Sequence, residues 1–334
     1  CMIGHIALPE YSKVLDPTLK DEDILPATLA KEITTTLLRE KLGFNGLVVT
    51  DATAMAGFAL PMPREKAVPT AIAAGCDMFL FTRNMDEDFY FMKKGIEEGV
   101  ITSERLDEAL TRILGMKAAL KLHTKQQNNE LAPNLERAKE IIGNPKHQEW
   151  AKECADKSIT LVKEEKGVLP ISVEKHKRVL FYNLENTGSF FDGNNVTEEF
   201  RKLLENEGFE IEVFNANKGM EGMMTPSKDV LGKYDLIIYV ANIITKSNQT
   251  TVRIEWAMPM GINIPIYLTS IPTIFVSVEN PYHLLDIPRV KTYINAYSSG
   301  ENILKEIVEK LMGRSEFKGT NPVDPFCGKW DTRL

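Results

Sequence analysis

The segment Leu42–Phe58, LGFNGLVVTDATAMAGF, places a carboxylate directly after a strongly apolar run. The run Gly46-Leu47-Val48-Val49 is typical of a buried strand, and Asp51 follows it closely. In parallel α/β proteins the carboxyl ends of the strands face the cleft where ligands bind. Because an unpaired buried carboxylate is costly, Asp51 should either cap the next turn or face a polar, functional cleft. In the second case the carboxylate is available for chemistry.

His5 takes the matching position one strand earlier, at the end of the apolar run that begins the chain. Polar residues on neighbouring strand ends can line one pocket, so the pair His5 and Asp51 is a candidate site. For His5 alone, a hydrogen bond to a loop is the more common explanation.

Short apolar runs alternate with helical patterns over the first third of the chain, which predicts three successive βα units and a parallel sheet. The predicted strands are Met2–Ile6, Leu47–Thr50 and Met78–Phe81, and the predicted helices lie near Leu29–Lys41, Arg64–Ala74 and Glu87–Glu98. A further helix is predicted over Ser103–Leu120, with Ser103 as its N-cap and one apolar face.

Residues 123–146 are polar, rich in amides and interrupted by Pro133, which predicts an interdomain linker leading into a short helix. The chain therefore divides into residues 1–122, the linker 123–146 and a second domain, 147–334. The second domain is predicted to contain a mainly parallel sheet with helices on both faces. Its predicted strands are Ile159–Lys163 and the runs VLFYNL, EIEVFN, DLIIYVANI, TIFVSVEN and TYINAYS, and its predicted helices lie near Gln148–Lys157, Val196–Asn206 and Asn302–Met312.

Composition excludes several classes of protein. The chain has 334 residues, of which 43% are hydrophobic and 26% charged, as expected of globular domains rather than disordered or fibrous chains. A net charge of −7 without a long Lys/Arg cluster argues against nucleic acid as a partner. No apolar run is long enough to span a bilayer, so no membrane partner is expected.

Cofactor and metal motifs are missing from the sequence. It has neither GxGxxG nor a P-loop, no GxSxG elbow, and no CxxC pair or His at metal-ligand spacing among its four scattered cysteines. We therefore expect no cofactor and no metal. The Gly/Asn-rich loop Gly188–Asn195 could bind an anion but is more typical of a plain turn.

The segment Leu38–Asp51, followed by Met55, resembles the nucleophile segment of glycoside hydrolase family 3, of the β-N-acetylhexosaminidase and β-glucosidase type. HIALPEYS with PATL resembles the strand and loop before it, AIAAGCDMFLF the following unit, and GVITSERLDEALTRILGMKAALKL the helix that closes the catalytic domain. In the second half, KSITLVKEEKGVLPIS, VENPYHLLDIPRVKTYINAYS and FKGTNPVD resemble the family's α/β sandwich domain. The resemblance covers nearly the whole chain.

The resemblance implies a retaining glycosidase that releases β-linked sugars from the non-reducing end through a glycosyl-enzyme. Asp51 matches the nucleophile, His5 matches a substrate-pocket position, and Met55 could pack near the sugar, although a core methionine is the simpler interpretation. Asp77, in the AGxDM match, is expected to be structural. N-acetylglucosamine is the favoured sugar. The alternatives are a β-glucosidase or β-xylosidase of the same family, or a noncatalytic scaffold or interaction module.

The chain departs from the family in supplying three βα units, whereas a TIM-type (β/α)8 barrel needs about 250 residues. The fold class implied is therefore the last part of a TIM-type barrel followed by an α/β sandwich domain. The Lys-His segment that holds the sugar and the loop with the His-Asp acid/base pair do not occur, so the acid/base is expected outside this chain. In the β-glucosidase branch of the family the acid/base is instead a Glu of the second domain, which no motif identifies here. We expect the rest of the barrel to come from a preceding segment or a partner chain. No motif determines the compartment, and an extracytoplasmic location is slightly favoured over a cytoplasmic one.

Overall fold

The computed structural model describes residues 1–185, 195–215, 226–245, 253–258 and 260–334. The chain divides into two compact units, Cys1–Leu135 and Glu136–Leu334. The division falls within the predicted linker, residues 123–146. This segment is more helical than its composition indicates, since two short helices, Leu122–Gln127 and Leu135–Ile141, occupy it.

The first unit contains a three-stranded parallel sheet in the order β1-β2-β3. The strands are β1, Met2–Ile3, β2, Val49–Ala52, and β3, Met78–Leu80. The central strand begins and ends two residues later than predicted, so Asp51 lies within β2 rather than after it. The pairing of β2 with β3 is irregular between Val49 and Ala52, which is the part of the strand that contains Asp51.

Helices connect and follow these strands in the predicted order. They are α1, Pro9–Leu15; a π-helix, Glu32–Lys41; α2, Ala56–Ala59; α3, Arg64–Ala74; α4, Met85–Glu97; α5, Ser103–Ala119; and α6, Leu122–Gln127. The next helix, α7, Leu135–Ile141, begins at the last residue of this unit. Thr102 rather than Ser103 is the N-cap of α5, because its side-chain oxygen accepts the Arg105 N–H. Ile3, Ile33, Val48, Ile72 and Cys76 form the centre of the apolar core between the sheet and the helices.

The second unit is built on a six-stranded sheet in the order β4-β9-β8-β7-β5-β6. The strands are β4, Thr160–Lys163; β5, Arg178–Glu185; β6, Glu210–Val213; β7, Leu236–Asn242; β8, Thr273–Ser277; and β9, Thr292–Asn295. All pairings are parallel except that of β4 with β9. The mainly parallel sheet is the predicted one, with an antiparallel strand at one edge.

Apolar cores cover both faces of this sheet. The helices are α8, Pro145–Ser158; α9, Val173–His176; α10, Val196–Asn206; α11, Ser227–Leu231; and α12, Glu301–Leu311. On one face α10 and α12 contribute Phe200, Leu204 and Ile307. On the other, Tyr182, Tyr239, Phe275 and Tyr293 stack across four neighbouring strands.

All but the last residue of the Gly188–Asn195 loop lies outside the described residues. Among the helices that are described, none is long and apolar enough to cross a membrane.

Candidate active site

Asp51 lies on the central strand of the first sheet and is half-buried. One carboxylate oxygen, Oδ1, accepts a hydrogen bond from the Ala52 N–H at 2.7 Å. The other oxygen, Oδ2, has no hydrogen-bond or ion-pair partner in the described part of the chain. The backbone therefore holds one oxygen of this carboxylate and not the other.

His5 lies two residues beyond β1 and uses both of its ring nitrogens within the protein. Nδ1 lies 2.8 Å from the Thr28 hydroxyl oxygen, and Nε2 lies 3.1 Å from the carbonyl oxygen of Ala52. Because a carbonyl oxygen can only accept a hydrogen bond, Nε2 carries a proton and is the donor. The imidazole also packs against Phe58, with 5.2 Å between the ring centroids. The structure thus brings His5 to the residue that follows Asp51.

Met55 is the N-cap residue of the short helix α2, four residues after Asp51. Its backbone N–H donates to the carbonyl oxygen of Ala52 at 3.1 Å, so this carbonyl accepts from both Met55 and His5. The Met55 residue is half-buried. It therefore lies in the turn that follows Asp51, and packing of its side chain near a sugar stays a prediction.

Three residues that the sequence analysis did not single out complete this region. The guanidinium of Arg64 donates from Nη1 to the carbonyl oxygen of Thr53 at 2.8 Å and from Nη2 to the Thr53 hydroxyl at 3.0 Å. Its Nε and Nη2 also bind both carboxylate oxygens of Asp88, at 2.8 and 2.6 Å. Arg64 is the first residue of α3, where the helix dipole disfavours a cation, and this mismatch is a sequence signal that could have indicated a partner.

A cavity of about 450 Å³ opens beside this ion pair and is lined by Arg64, Arg83, Asn84 and Glu87. The last three of these residues lie between the end of β3 and the first turn of α4. The cavity therefore lies at the carboxyl end of the sheet, the same end as Asp51.

Asp77 lies at the opposite, amino-terminal end of β3. Its side chain is fully buried and binds Arg39 at 2.7 Å, Arg105 at 2.5 Å and Arg112 at 3.4 Å. It also accepts the Val48 N–H at 2.9 Å. Burial lowers the pKa of the Arg39 guanidinium, which Asp77 opposes. Asp77 therefore connects the sheet to the helices by ion pairs and is not brought to Asp51.

The described residues contain no group of three or more His, Cys, Asp or Glu side chains that could hold a metal ion.

Comparison with known proteins identifies the first unit. The sequence model described as the glycosyl hydrolase family 3 N-terminal domain matches residues 1–116. A β-N-acetylglucosaminidase/β-glucosidase from Cellulomonas fimi is 52% identical over 338 residues, which is 100% of this chain and 59% of that protein.

Solved structures agree over both units. The chain matches a β-glucoside phosphorylase, BglX, with a TM-score of 0.89 and 44% identity, over 99% of this chain and 58% of that one. It matches a family 3 β-N-acetylglucosaminidase from Paenibacillus sp. FPU-7 with a TM-score of 0.69 and 21% identity, over 94% of this chain and 56% of that one, which shows the common fold. The chain thus spans less than three fifths of the length of these proteins.

Proposed function

Because the chain belongs to glycoside hydrolase family 3, we propose that it supplies the catalytic nucleophile, Asp51, of an enzyme that cleaves β-glycosidic bonds. The enzyme removes a sugar from the non-reducing end with retention of its anomeric configuration. The noncatalytic scaffold or interaction module is the opposing hypothesis.

The observation that carries this proposal is the state of the Asp51 carboxylate. It sits on the central strand of a parallel sheet, with Oδ1 held by the Ala52 N–H and Oδ2 without a partner in the described part of the chain. A nucleophilic carboxylate must stay ionised and must present one oxygen in a constant direction. The backbone hydrogen bond to Oδ1 supports the second requirement.

Cleavage proceeds in two displacements at the anomeric carbon. In the first, Oδ2 of Asp51 forms a bond to this carbon while the bond to the leaving oxygen breaks, and a general acid gives that oxygen a proton. In the second, an acceptor oxygen attacks the same carbon, loses its proton to the conjugate base and releases Asp51. Two inversions restore the original configuration.

We propose that the general acid/base lies outside this chain, because the His-Asp motif of the family does not occur in the sequence. The sugar proposed is N-acetylglucosamine. The name of the Cellulomonas fimi relative, at 52% identity, supports this choice and equally supports glucose. Xylose is the remaining alternative, since a β-xylosidase is 27% identical over 48% of this chain.

The test uses the natural gene product that contains this chain, with aryl β-glycosides of N-acetylglucosamine, glucose and xylose. We expect Asp51→Ala to lower kcat by on the order of 10⁴-fold or more while the fold is retained. A 2-deoxy-2-fluoro glycoside should label the wild-type protein on Asp51, as mass spectrometry of peptides can show. Asp107→Ala, at an exposed position of α5, is the matched control and should be fully active.

Each outcome decides between the hypotheses. Wild-type activity in Asp51→Ala, or a label on another residue, would refute Asp51 as the nucleophile. A natural gene product that cleaves none of the three glycosides and takes no label would favour the noncatalytic module.

A second candidate is phosphorolysis, in which phosphate rather than water is the acceptor in the second displacement. It is favoured by the 44% identity to a structure named as a β-glucoside phosphorylase. The products distinguish the two reactions: addition of inorganic phosphate to the assay should yield a sugar 1-phosphate if phosphate is the acceptor. Free sugar at an unchanged rate would show hydrolysis.

A further inference from the structure

We propose that His5 and Arg64 are positioning residues that hold the segment Asp51–Thr53 from two sides, and that neither binds the sugar. This inference rests on the proposed function of Asp51. It differs from the substrate contact that the family resemblance implies for His5, and it adds Arg64, for which the sequence had suggested no role.

Strand β2 ends within this segment, and its pairing there is irregular. Pairing of β2 with β3 is irregular between Val49 and Ala52, and β2 ends at Ala52. Beyond Asp51 the backbone itself supplies two hydrogen bonds: the Thr53 N–H donates to the Phe81 carbonyl oxygen at 3.3 Å, and the Met55 N–H donates to the Ala52 oxygen at 3.1 Å. The carbonyl groups of Ala52 and Thr53 each accept a further hydrogen bond from a side chain.

His5 holds the first of these carbonyls. Its Nε2–H donates to the Ala52 oxygen at 3.1 Å, and the ring cannot turn freely because Nδ1 binds the buried Thr28 hydroxyl at 2.8 Å. Phe58 packs against the ring. With both nitrogens engaged, a sugar hydroxyl could bind the His5 ring nitrogens only at the expense of these contacts.

Arg64 holds the second carbonyl. It binds the oxygen and the hydroxyl of Thr53, and Thr53 in turn donates its hydroxyl to the carbonyl oxygen of Phe81 at 3.0 Å. The guanidinium is itself fixed by the forked contact with Asp88, whose side chain is 3% exposed against 12% for Arg64. A planar guanidinium bound on two edges is a rigid support.

Rigid support matters because a covalent nucleophile must meet the anomeric carbon in near-attack geometry. A displacement of about 1 Å can cost about 10²-fold in rate. Loss of either support should therefore slow formation of the glycosyl-enzyme with little effect on sugar binding.

The experiment measures inactivation of the natural gene product by a 2-deoxy-2-fluoro glycoside, which separates the rate constant kinact from the binding constant KI. His5→Phe keeps a ring against Phe58 and removes both hydrogen bonds, while His5→Gln restores one N–H donor. Arg64→Lys keeps the charge beside Asp88 and loses the fork. We expect kinact to fall about 10-fold to 100-fold in His5→Phe and Arg64→Lys, with KI changed less than about twofold, and His5→Gln to recover part of the loss.

Arg112→Lys is the matched control, because Arg112 binds Asp77 at the amino-terminal end of the strands. It should lower the thermal midpoint and leave kinact unchanged. Amide hydrogen exchange gives a second readout that does not need turnover: exchange at Ala52 and Thr53 should accelerate in His5→Phe and Arg64→Lys but not in Arg112→Lys.

The outcomes separate this inference from the proposed function. A rise in KI at constant kinact would make His5 or Arg64 a sugar contact. Unchanged kinact and unchanged exchange in His5→Phe and Arg64→Lys, with the label on Asp51, would refute the positioning role alone. A label on another residue would refute Asp51 as the nucleophile. In that case hydrogen exchange would still test the support by His5 and Arg64, and unchanged exchange in both variants would refute it.

Discussion

Gly57 and His5 approach so closely that no side chain fits between them. A Cβ atom on Gly57 would lie 2.5 Å from the backbone oxygen of His5 and 2.9 Å from its Cβ. Gly57 belongs to α2, the short helix after Asp51, and its φ angle is not in the left-handed region. Glycine is required here by the closeness of the two backbones, and this closeness brings the loop after β1 against the turn after β2.

We expect Gly57→Ala to destabilise the first unit by about 1–3 kcal/mol, because the added methyl group can be accommodated only if backbone moves. Urea unfolding followed by circular dichroism measures the change. Gly115→Ala is the matched control: Gly115 lies inside α5 with nothing within 4 Å of an added Cβ. It should stabilise the protein by up to about 1 kcal/mol. Equal effects of the two variants would contradict the close approach.

Asp77 is the anion on which three arginines of the first unit converge. We expect Asp77→Asn to cost about 3–5 kcal/mol, because the change leaves buried guanidinium groups without their counter-charge. All three tryptophans, Trp150, Trp256 and Trp330, lie in the second unit, so their fluorescence follows that unit alone. In Asp77→Asn, unfolding followed by circular dichroism should begin earlier than in wild type, whereas unfolding followed by fluorescence should be unchanged. A wild-type transition by both probes would show that the cluster contributes no stability.

Asp156 on α8 receives hydrogen bonds from Lys318 at 2.7 Å and Lys310 at 2.9 Å. These bonds lower its pKa from 3.8 to about 2. Because the folded-state pKa is depressed, the stabilisation is fully present above about pH 4 and is lost as the pH falls towards 2. We therefore expect Asp156→Asn to have a lower free energy of unfolding than wild type, and this difference should narrow as the pH falls through this range. Unfolding followed by tryptophan fluorescence measures it.

Asp331→Asn serves as the control for Asp156, since Asp331 forms no ion pair with any residue the structure describes. The difference in unfolding free energy from wild type should narrow more for Asp156→Asn than for Asp331→Asn over the same pH range. A difference for Asp156→Asn that is equally large at pH 2 and pH 6 would contradict the role of the two lysines.

Cys76 is fully buried, and burial raises the pKa of its thiol to about 12. Cys1 and Cys154 are exposed, and burial raises the pKa of the half-buried Cys327. At pH 8 we expect a disulfide reagent such as dithionitrobenzoate to modify Cys1 and Cys154 first and Cys327 more slowly. Cys76 should react only after denaturation. Rapid modification of all four thiols in the native chain would contradict the packing of the first unit.

Several features of this fold follow from local sequence alone. The helices Arg64–Ala74 and Val196–Asn206 have the predicted bounds, because end signals such as Gly75 after the first helix and the Asn195 cap of the second act over a few neighbouring positions. The alternation of strands and helices, and hence one parallel and one mainly parallel sheet, follows from the same kind of pattern. The residues around Asp51 were identified as a candidate site because the run of apolar residues stops there.

Tertiary structure decided what local patterns do not encode. The antiparallel pairing of β4 with β9 depends on contacts between residues such as Thr160 and Asn295. The hydrogen bond from His5 to Ala52 spans 47 positions of the chain, and the ion pair of Arg64 with Asp88 spans 24. Pairings of this kind form only when packing brings distant segments together. The sequence therefore indicated Asp51 as a candidate residue, whereas only the folded chain determined which groups surround it.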